Sequence, residues 1–368
     1  MSHHSKTLFD ILSVHLLLTA LVAFGVLTGC KKDSDNSTGP ELTCDIMHSS
    51  VKGVAYSPLG FPETYENTGA FYTEIEEIGN FSVFMNSLWR DDINSSGEIP
   101  QTHLSLINAA DNHCFLPVAS FGWRSGHTTF LDHPDNGVNN WTNETTKESF
   151  LRMLENFAST YKPPYLFIGN EVNFYFENFP SDYQNWIEFY ETAYRQIKDA
   201  NSSTKVGTIF NYEHLAGLGK NVGWNAPQWG AIDQFDSDYL DVIGLTVYPF
   251  LSENMPQTIP DTYLKPLTER AVVSGKPLFI TETGWPGNSS LNDSRSWSMG
   301  EDHQITYVEK LGSILSSQRV AGVQWLFMNE MRNTCNSCDE WINFGSISLK
   351  DGTGKKRPVY EQFINISF

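Results

Sequence analysis

The sequence predicts an α/β fold, a (β/α)8 TIM barrel with long βα loops. From Val51 onward, eight short runs rich in aromatic and β-branched residues alternate with segments of helical spacing. Eight βα units in roughly 300 residues favour closure into a barrel over an open sheet. An open doubly wound sheet would normally present a Gly-rich phosphate turn after its first strand, and residues 57–62 form no such turn.

The predicted strands lie in the length range of buried parallel strands. They are residues 51–56, 81–88, 114–121, 165–169, 205–210, 242–247, 277–281 and 320–327. Apolar residues recur at intervals of three and four residues in 183–200 and again in 306–315, which predicts amphipathic helices. Long insertions follow the third, fifth and seventh strands at residues 122–143, 211–236 and 284–300, so they are expected to build a cleft on one face.

The N-terminal region reads as an export signal. Residues 1–29 are predicted to be a lipoprotein signal peptide, because an apolar stretch follows Lys6 and ends in Leu27-Thr-Gly-Cys30. Cys30 is then the lipidated N-terminus, residues 30–50 a polar tether, and residues 51–368 the barrel domain. The expected location is the bacterial cell envelope. The alternative is a membrane-spanning anchor, for which the stretch is short and interrupted by His15.

The amino-acid composition limits the classes of molecule that the protein is expected to bind. Lys and Arg number 24 against 43 Asp and Glu, a net charge of −19, which disfavours nucleic acid. Aromatic residues make up 13% of the chain, and exposed rings are what neutral sugars stack on, although most of these rings are expected in the core. We expect a monomer that acts on a polysaccharide or oligosaccharide and contacts the membrane only through its N-terminal lipid.

The cysteines and histidines indicate no metal or cofactor. Cys335 and Cys338 suit a small loop disulfide, and Cys114 is either a buried thiol or the partner of Cys44. The histidines show no ligand spacing on a predicted helix, and the acidic clusters lack a calcium-loop pattern. No Gly-x-Ser-x-Gly elbow of a serine hydrolase is present.

Two glutamates carry the predicted chemistry. Glu171 follows the fourth strand in Gly169-Asn-Glu-Val172, and Glu282 ends the seventh in Thr281-Glu-Thr-Gly-Trp-Pro286. Cleavage of a glycosidic bond needs one protonated and one ionised carboxyl, about 5 to 5.5 Å apart when configuration is retained. An isolated Asn-Glu is common at helix starts, so it is the second glutamate, at the end of a later strand, that favours catalysis.

These motifs resemble glycoside hydrolase family 17, a β-1,3-glucanase-type family of the retaining clan A barrels. Thr246-Val-Tyr-Pro-Phe250 and Lys52-Gly-Val-Ala-Tyr56 resemble its sixth and first strands. Family 53, the endo-β-1,4-galactanases, ranks second, because it shares Gly-Asn-Glu and a strand similar to Ile243–Phe250 but lacks Gly-Trp-Pro. Clan A mannanases rank third. A glycan-binding surface lipoprotein without activity is the alternative from another class.

The resemblance implies roles for individual residues. Glu171 would be the general acid/base, in an apolar setting that raises its pKa, and Glu282 the nucleophile, held ionised by Tyr248. Asn170 would bind the sugar 2-hydroxyl. The remaining candidates for sugar contact are Trp325 as an aromatic floor or core residue, Trp285, Tyr56, and Glu330 as a sugar ligand or loop cap.

Overall fold

The computed structural model describes the barrel and most of its loops. The described residues are 44, 50–62, 64–88, 98–122, 132–133, 137–138, 140–288, 296–331 and 344–368. The predicted signal peptide, Cys30, Cys335 and Cys338 lie outside them. Among the described residues, no helix is long and apolar enough to cross a membrane.

Eight parallel strands close into a barrel. They are β1 Val51–Ala55, β2 Phe81–Leu88, β3 Leu116–Gly122, β4 Tyr165–Ile168, β5 Lys205–Asn211, β6 Val242–Val247, β7 Leu278–Thr283 and β8 Val320–Asn329. Each strand pairs with the next in sequence, and β1 pairs with β8 to close the ring. This confirms the predicted (β/α)8 TIM barrel and all eight predicted strands. A short strand, β9 Ser348–Lys350, adds to β8.

Helices flank the barrel. They are α1 Thr68–Ile78, α2 Gln101–His113, α3 Glu144–Tyr161, α4 Asn173–Asn178, α5 Pro180–Ala200, α6 Tyr212–Leu215, α7 Gly230–Asp233, α8 Lys265–Thr268, α9 Glu301–Leu315 and α10 Val359–Ile364. The two predicted amphipathic helices are α5 and α9. In α5, the periodic residues Trp186, Tyr190 and Ile197 are buried.

Two apolar layers fill the domain. Phe167, Ile209 and Phe279 belong to the interior of the barrel, while their strand neighbours pack outward against the helices. Successive side chains on a strand alternate between faces. The alternation that puts Ile209 inside also directs Asn211 into the barrel mouth, and on β6 it directs Thr246 and then Tyr248 there.

A disulfide joins Cys44 to Cys114, just before β3, and spans 70 residues. Closing a loop of this length removes conformational freedom from the unfolded chain. We expect Cys44→Ser to lower the free energy of unfolding by about 2–4 kcal/mol. Urea unfolding of the purified protein measures this, and wild type with reductant is the matched control. Equal midpoints for oxidised wild type and the variant would show that the bridge contributes nothing.

Candidate active site

Glu171 lies just beyond β4 in a strained backbone conformation. Gly169 and Glu171 have φ values of 85° and 51°, and for glutamate the left-handed region is unfavourable. Hydrogen bonds to β5 hold the segment, since Val172 N donates to Ile209 O at 3.0 Å and Ile209 N to Gly169 O at 3.3 Å. Strain of this kind persists where the surroundings fix it, and it clusters at functional sites.

Two donors orient the Glu171 carboxylate. Asn211 Nδ2 and Thr246 Oγ1 donate to Glu171 Oε1 at 2.9 and 2.8 Å. Asn211 is itself braced by the buried Asn173, whose Oδ1 accepts from Asn211 N at 2.9 Å. The carboxylate is therefore fixed from the ends of β5 and β6.

A β-bulge directs Glu282 into the barrel. Phe279 lies in the interior and Ile280 on the outer face, so strict alternation would send Glu282 outward. The register shifts here, because Leu245 pairs with Ile280 and Thr246 pairs with Glu282. The extra residue, Thr281, restores an inward direction to Glu282.

Glu282 is deeply buried and hydrogen bonded. It is 5% exposed, and Tyr248 Oη donates to Glu282 Oε2 at 2.8 Å. Burial, followed by repulsion from Glu171, raises the pKa of Glu282 to about 8, against the hydrogen bonds from Tyr248 and Asn170, which lower it. The two glutamates are thus close enough to interact electrostatically.

The burial of the two carboxyls differs from the sequence expectation. Glu171, expected in an apolar setting, is partly exposed and accepts two hydrogen bonds, whereas Glu282 is the buried member. The reason is local: Glu282 points from within a strand, while Glu171 stands on the turn after one. The expected contact between Tyr248 and Glu282 is present.

The hydrogen bond from the Tyr248 hydroxyl is expected to contribute to catalysis by keeping Glu282 ionised. Tyr248→Phe removes a donor to the ionised form of Glu282, so the pKa of Glu282 should rise further. A hydrogen bond to a charged group contributes about 1.5–3 kcal/mol, so the ionised fraction of Glu282 at neutral pH, and kcat with it, should fall roughly 10- to 150-fold. Steady-state kinetics against pH measure both effects. An unchanged kcat would show that the bond matters only to the resting enzyme.

Asn170 contacts one of the two catalytic glutamates, whereas Trp325 lies in the core outside the barrel. The Asn170 amide hydrogen bonds to Glu282. Trp325 is fully buried on the outer face of β8, with its ring 6.0 Å from Tyr307 and 5.4 Å from Phe363. Trp325 shares that face with Val323, two residues earlier. The predicted aromatic floor is therefore wrong for Trp325, and the core alternative is correct.

Trp285 is also a packing residue. It is fully buried, donates from Nε1 to Ser298 O at 2.8 Å, and packs against Phe250 and Tyr307. Its ring has no exposed surface for the predicted sugar contact. Tyr56 is half-buried just after β1, where its ring stacks on Tyr72, so its sugar contact stays a prediction.

Glu330 lies in an ion-pair network beyond β8. Arg357 bridges Glu330 and Glu301, and its guanidinium side chain is only 8% exposed. These residues line a cavity of about 700 Å³ together with Asn288 and His303. The contact with Arg357 accounts for Glu330 as a structural residue, and its role toward sugar stays a prediction.

Sequence reasoning missed Asn211 and Thr246. Both lie at inward-facing positions near the ends of their strands, two residues beyond Ile209 and Gly244. Counting inward positions along each strand would have found them. Among the described residues, no group of three or more His, Cys, Asp or Glu side chains is arranged to hold a metal ion.

Solved structures share this fold. An exo-β-1,4-mannosidase, Op5Man5, from Opitutaceae bacterium strain TAV5 is 16% identical with a TM-score of 0.61, over 86% of this chain and 58% of its own. A family 39 glycoside hydrolase from Bacteroides cellulosilyticus WH2 is 14% identical with a TM-score of 0.57, over 88% and 64%. A GH5_18 protein from Bifidobacterium longum subsp. longum in complex with Manβ1-4GlcNAc is 13% identical with a TM-score of 0.61, over 86% and 77%.

These likenesses concern the fold, since the identities are low. The chain spans 58% and 64% of the length of the first two proteins, less than two thirds of either. No curated protein sequence matches this chain.

A match to a protein-family model identifies the family, which the shared fold alone does not. The model of glycosyl hydrolase family 53 matches residues 131–323, a span that contains Asn170, Glu171, Tyr248 and Glu282. Family 53 was the second-ranked resemblance in the sequence, and a particular closeness to family 17 is not supported. The match covers more than half of the 368 residues, and the chain belongs to glycosyl hydrolase family 53.

Proposed function

We propose that this protein is a retaining glycosidase that hydrolyses β-linked galactan by double displacement, with Glu171 as general acid/base and Glu282 as nucleophile. The observation that carries the proposal is the carboxyl pair at the ends of β4 and β7, inside the span that matches family 53. Each member has its own hydrogen-bond donors, which orient it independently of the other.

The first displacement forms a covalent glycosyl-enzyme. Glu282 Oε attacks the anomeric carbon, while Glu171 donates its proton to the departing glycosidic oxygen. Charge leaves Glu282 as the ester forms, which relieves the burial and repulsion that disfavour its ionised form. The hydrogen bond between Asn170 and Glu282 supports contact of the Asn170 amide with the 2-hydroxyl, which lies on the carbon next to the one attacked.

The second displacement releases the sugar. Glu171, now ionised, takes a proton from water, and the water oxygen attacks the anomeric carbon and expels Glu282. Asn211 and Thr246 stabilise the ionised Glu171 of this step through their hydrogen bonds to Oε1. The first step requires the pair to hold a single proton, whereas the second starts with Glu171 ionised and Glu282 esterified. Because the pKa of Glu282 is raised to about 8, we expect the pair to hold that proton at neutral pH.

Galactan is proposed over β-1,3-glucan for two reasons. The family match is to family 53, whose sequence resemblance implies endo-β-1,4-galactanase activity. The Gly284-Trp-Pro286 segment, which favoured family 17, packs in the core through Trp285 and so gives no information about substrate.

Reducing-sugar release from galactan, laminarin, mixed-linkage glucan and mannan tests the substrate. We expect release from galactan above the others, with retained configuration by proton NMR of the first product. Preferred release from laminarin or mannan would overturn the substrate assignment and keep the mechanism. Binding to a glycan without release from any of them would favour a glycan-binding protein.

We also propose that Cys30 carries lipid and anchors the protein in the cell envelope. The disulfide between Cys44 and Cys114 supports passage through an oxidising compartment. We expect Cys30→Ser to abolish incorporation of labelled palmitate and to move the protein out of the membrane fraction. Cys338→Ser is the matched control and should stay with the membranes. Labelling that survives Cys30→Ser would refute the assignment.

A further inference from the structure

A third carboxyl lies beside the active site, on α6. Glu213 is fully buried and follows Asn211, the donor to Glu171, by two residues. Asn211 Oδ1 also caps α6, since it accepts from His214 N at 3.0 Å. The short helix therefore ties the position of Glu213 to the residue that orients Glu171.

Glu213 also lies close to Tyr248, the residue that hydrogen bonds to the other catalytic glutamate, Glu282. The main-chain N–H of Tyr248 is close enough to favour the ionised form of Glu213, and the Tyr248 hydroxyl donates to Glu282 at 2.8 Å. Tyr263 Oη donates to Glu213 Oε1 at 3.0 Å. Among the described residues, no side-chain donor reaches Oε2. Glu213 thus lies against the Tyr248 backbone while Tyr248 holds the nucleophile.

Within the described part of the chain, Glu171 is the charged group that acts on Glu213. The ionisable groups that act on it or respond to it are Glu171, Tyr212, Tyr248, Tyr263 and Tyr307. Burial is the largest effect and raises the pKa of Glu213 to about 7, and repulsion from Glu171 adds to it. Coulombic repulsion is mutual, so negative charges on Glu213 and Glu171 disfavour each other.

A buried carboxyl of this kind is costly as a structural element alone. A buried polar group without full hydrogen bonding destabilises a fold, and ionisable groups with shifted pKa values concentrate at functional sites. We propose that Glu213 is a positioning residue of the active site, which holds the Tyr248 segment against Glu282 and through its charge sets the pH at which the Glu171–Glu282 pair loses its proton. This inference rests on the proposed function of that pair.

The test compares kcat/KM against pH for wild type and two variants. In Glu213→Gln the extra negative charge is gone, so the high-pH limb of the kcat/KM profile should move to lower pH by about 0.5–1 unit. In Tyr263→Phe the carboxyl stays but loses a donor to its ionised form. Glu213 then remains neutral to higher pH. The high-pH limb of the kcat/KM profile should therefore also move to lower pH, by less than in Glu213→Gln. Glu188→Gln, an exposed change on α5, is the matched control.

Carbon-13 NMR titration of the glutamate carboxyls gives a second readout that needs no turnover. The titration of Glu282 should move to lower pH in Glu213→Gln. Basic limbs and carboxyl titrations that coincide with wild type in both variants would overturn the inference. If Glu213→Gln does not fold, Tyr263→Phe decides alone, by its shift or lack of one. Wild type inactive on every polysaccharide would refute the proposed function, while the NMR titration would still test Glu213.

Discussion

We expect Glu282→Gln to abolish hydrolysis, with kcat reduced roughly 10⁴-fold or more. The amide keeps the shape of the side chain but cannot form the covalent glycosyl-enzyme, so neither displacement proceeds. Reducing-sugar release from galactan measures the loss, and Glu188→Gln controls for the same chemical change at an exposed site on α5. Activity within tenfold of wild type would exclude Glu282 as the nucleophile.

The same variant should be more stable than wild type at alkaline pH. Glu282 has its pKa raised from 4.5 to about 8 in the folded protein, so folding favours the protonated carboxyl. Its stabilising effect is fully present below about pH 4.5 and is lost as the pH rises through about 8. Gln does not ionise, so the melting temperature of Glu282→Gln should exceed that of wild type at pH 9, and the difference should shrink toward pH 5.

Opposite effects on activity and stability separate catalysis from misfolding. A variant that lost activity because it folded poorly would melt at a lower temperature than wild type at all pH values. Active sites commonly hold groups that a stability optimum would exclude. A buried carboxylate beside Glu171 is such a group, and its replacement shows the cost directly.

The strands were predictable because the barrel buries them on both faces. Tyr165–Ile168 is a continuous apolar run and Val242–Val247 is one except for Thr246, and the fold needs eight such runs in alternation with helices. The two glutamates were predictable for the same reason. Each follows or ends such a run, and the carboxyl ends of parallel strands meet on one face of the barrel.

The direction of side chains was less predictable. The bulge at Thr281, which turns Glu282 inward, depends on pairing with Thr246 on another strand. Trp325 illustrates the same difficulty, because an aromatic residue near a strand end can face the mouth or the helices, and only the register of β8 puts it outward. The burial of each carboxyl also depends on neighbours distant in sequence, such as Asn211 for Glu171.

Glu171→Ala should separate the two displacements. Without the proton donor, cleavage of galactan, whose leaving group is a sugar hydroxyl, should slow by about 10²–10⁴-fold. An aryl galactoside with an acidic phenol leaves without a proton, so its first displacement should persist and the glycosyl-enzyme should accumulate as a burst of phenol.

The second displacement then depends on a nucleophile that needs no general base. Azide is such a nucleophile, and it should restore turnover of the aryl galactoside by Glu171→Ala and yield a β-galactosyl azide with retained configuration. Glu282→Ala is the matched contrast: with no covalent ester to resolve, azide could only attack the opposite face and give the α-azide. A β-azide from the Glu282 variant and an α-azide from the Glu171 variant would reverse the two roles. The positions of the donors favour the roles as assigned. Tyr248 and Asn170 stabilise charge on Glu282 before attack, and Asn211 and Thr246 stabilise it on Glu171 after the proton has left.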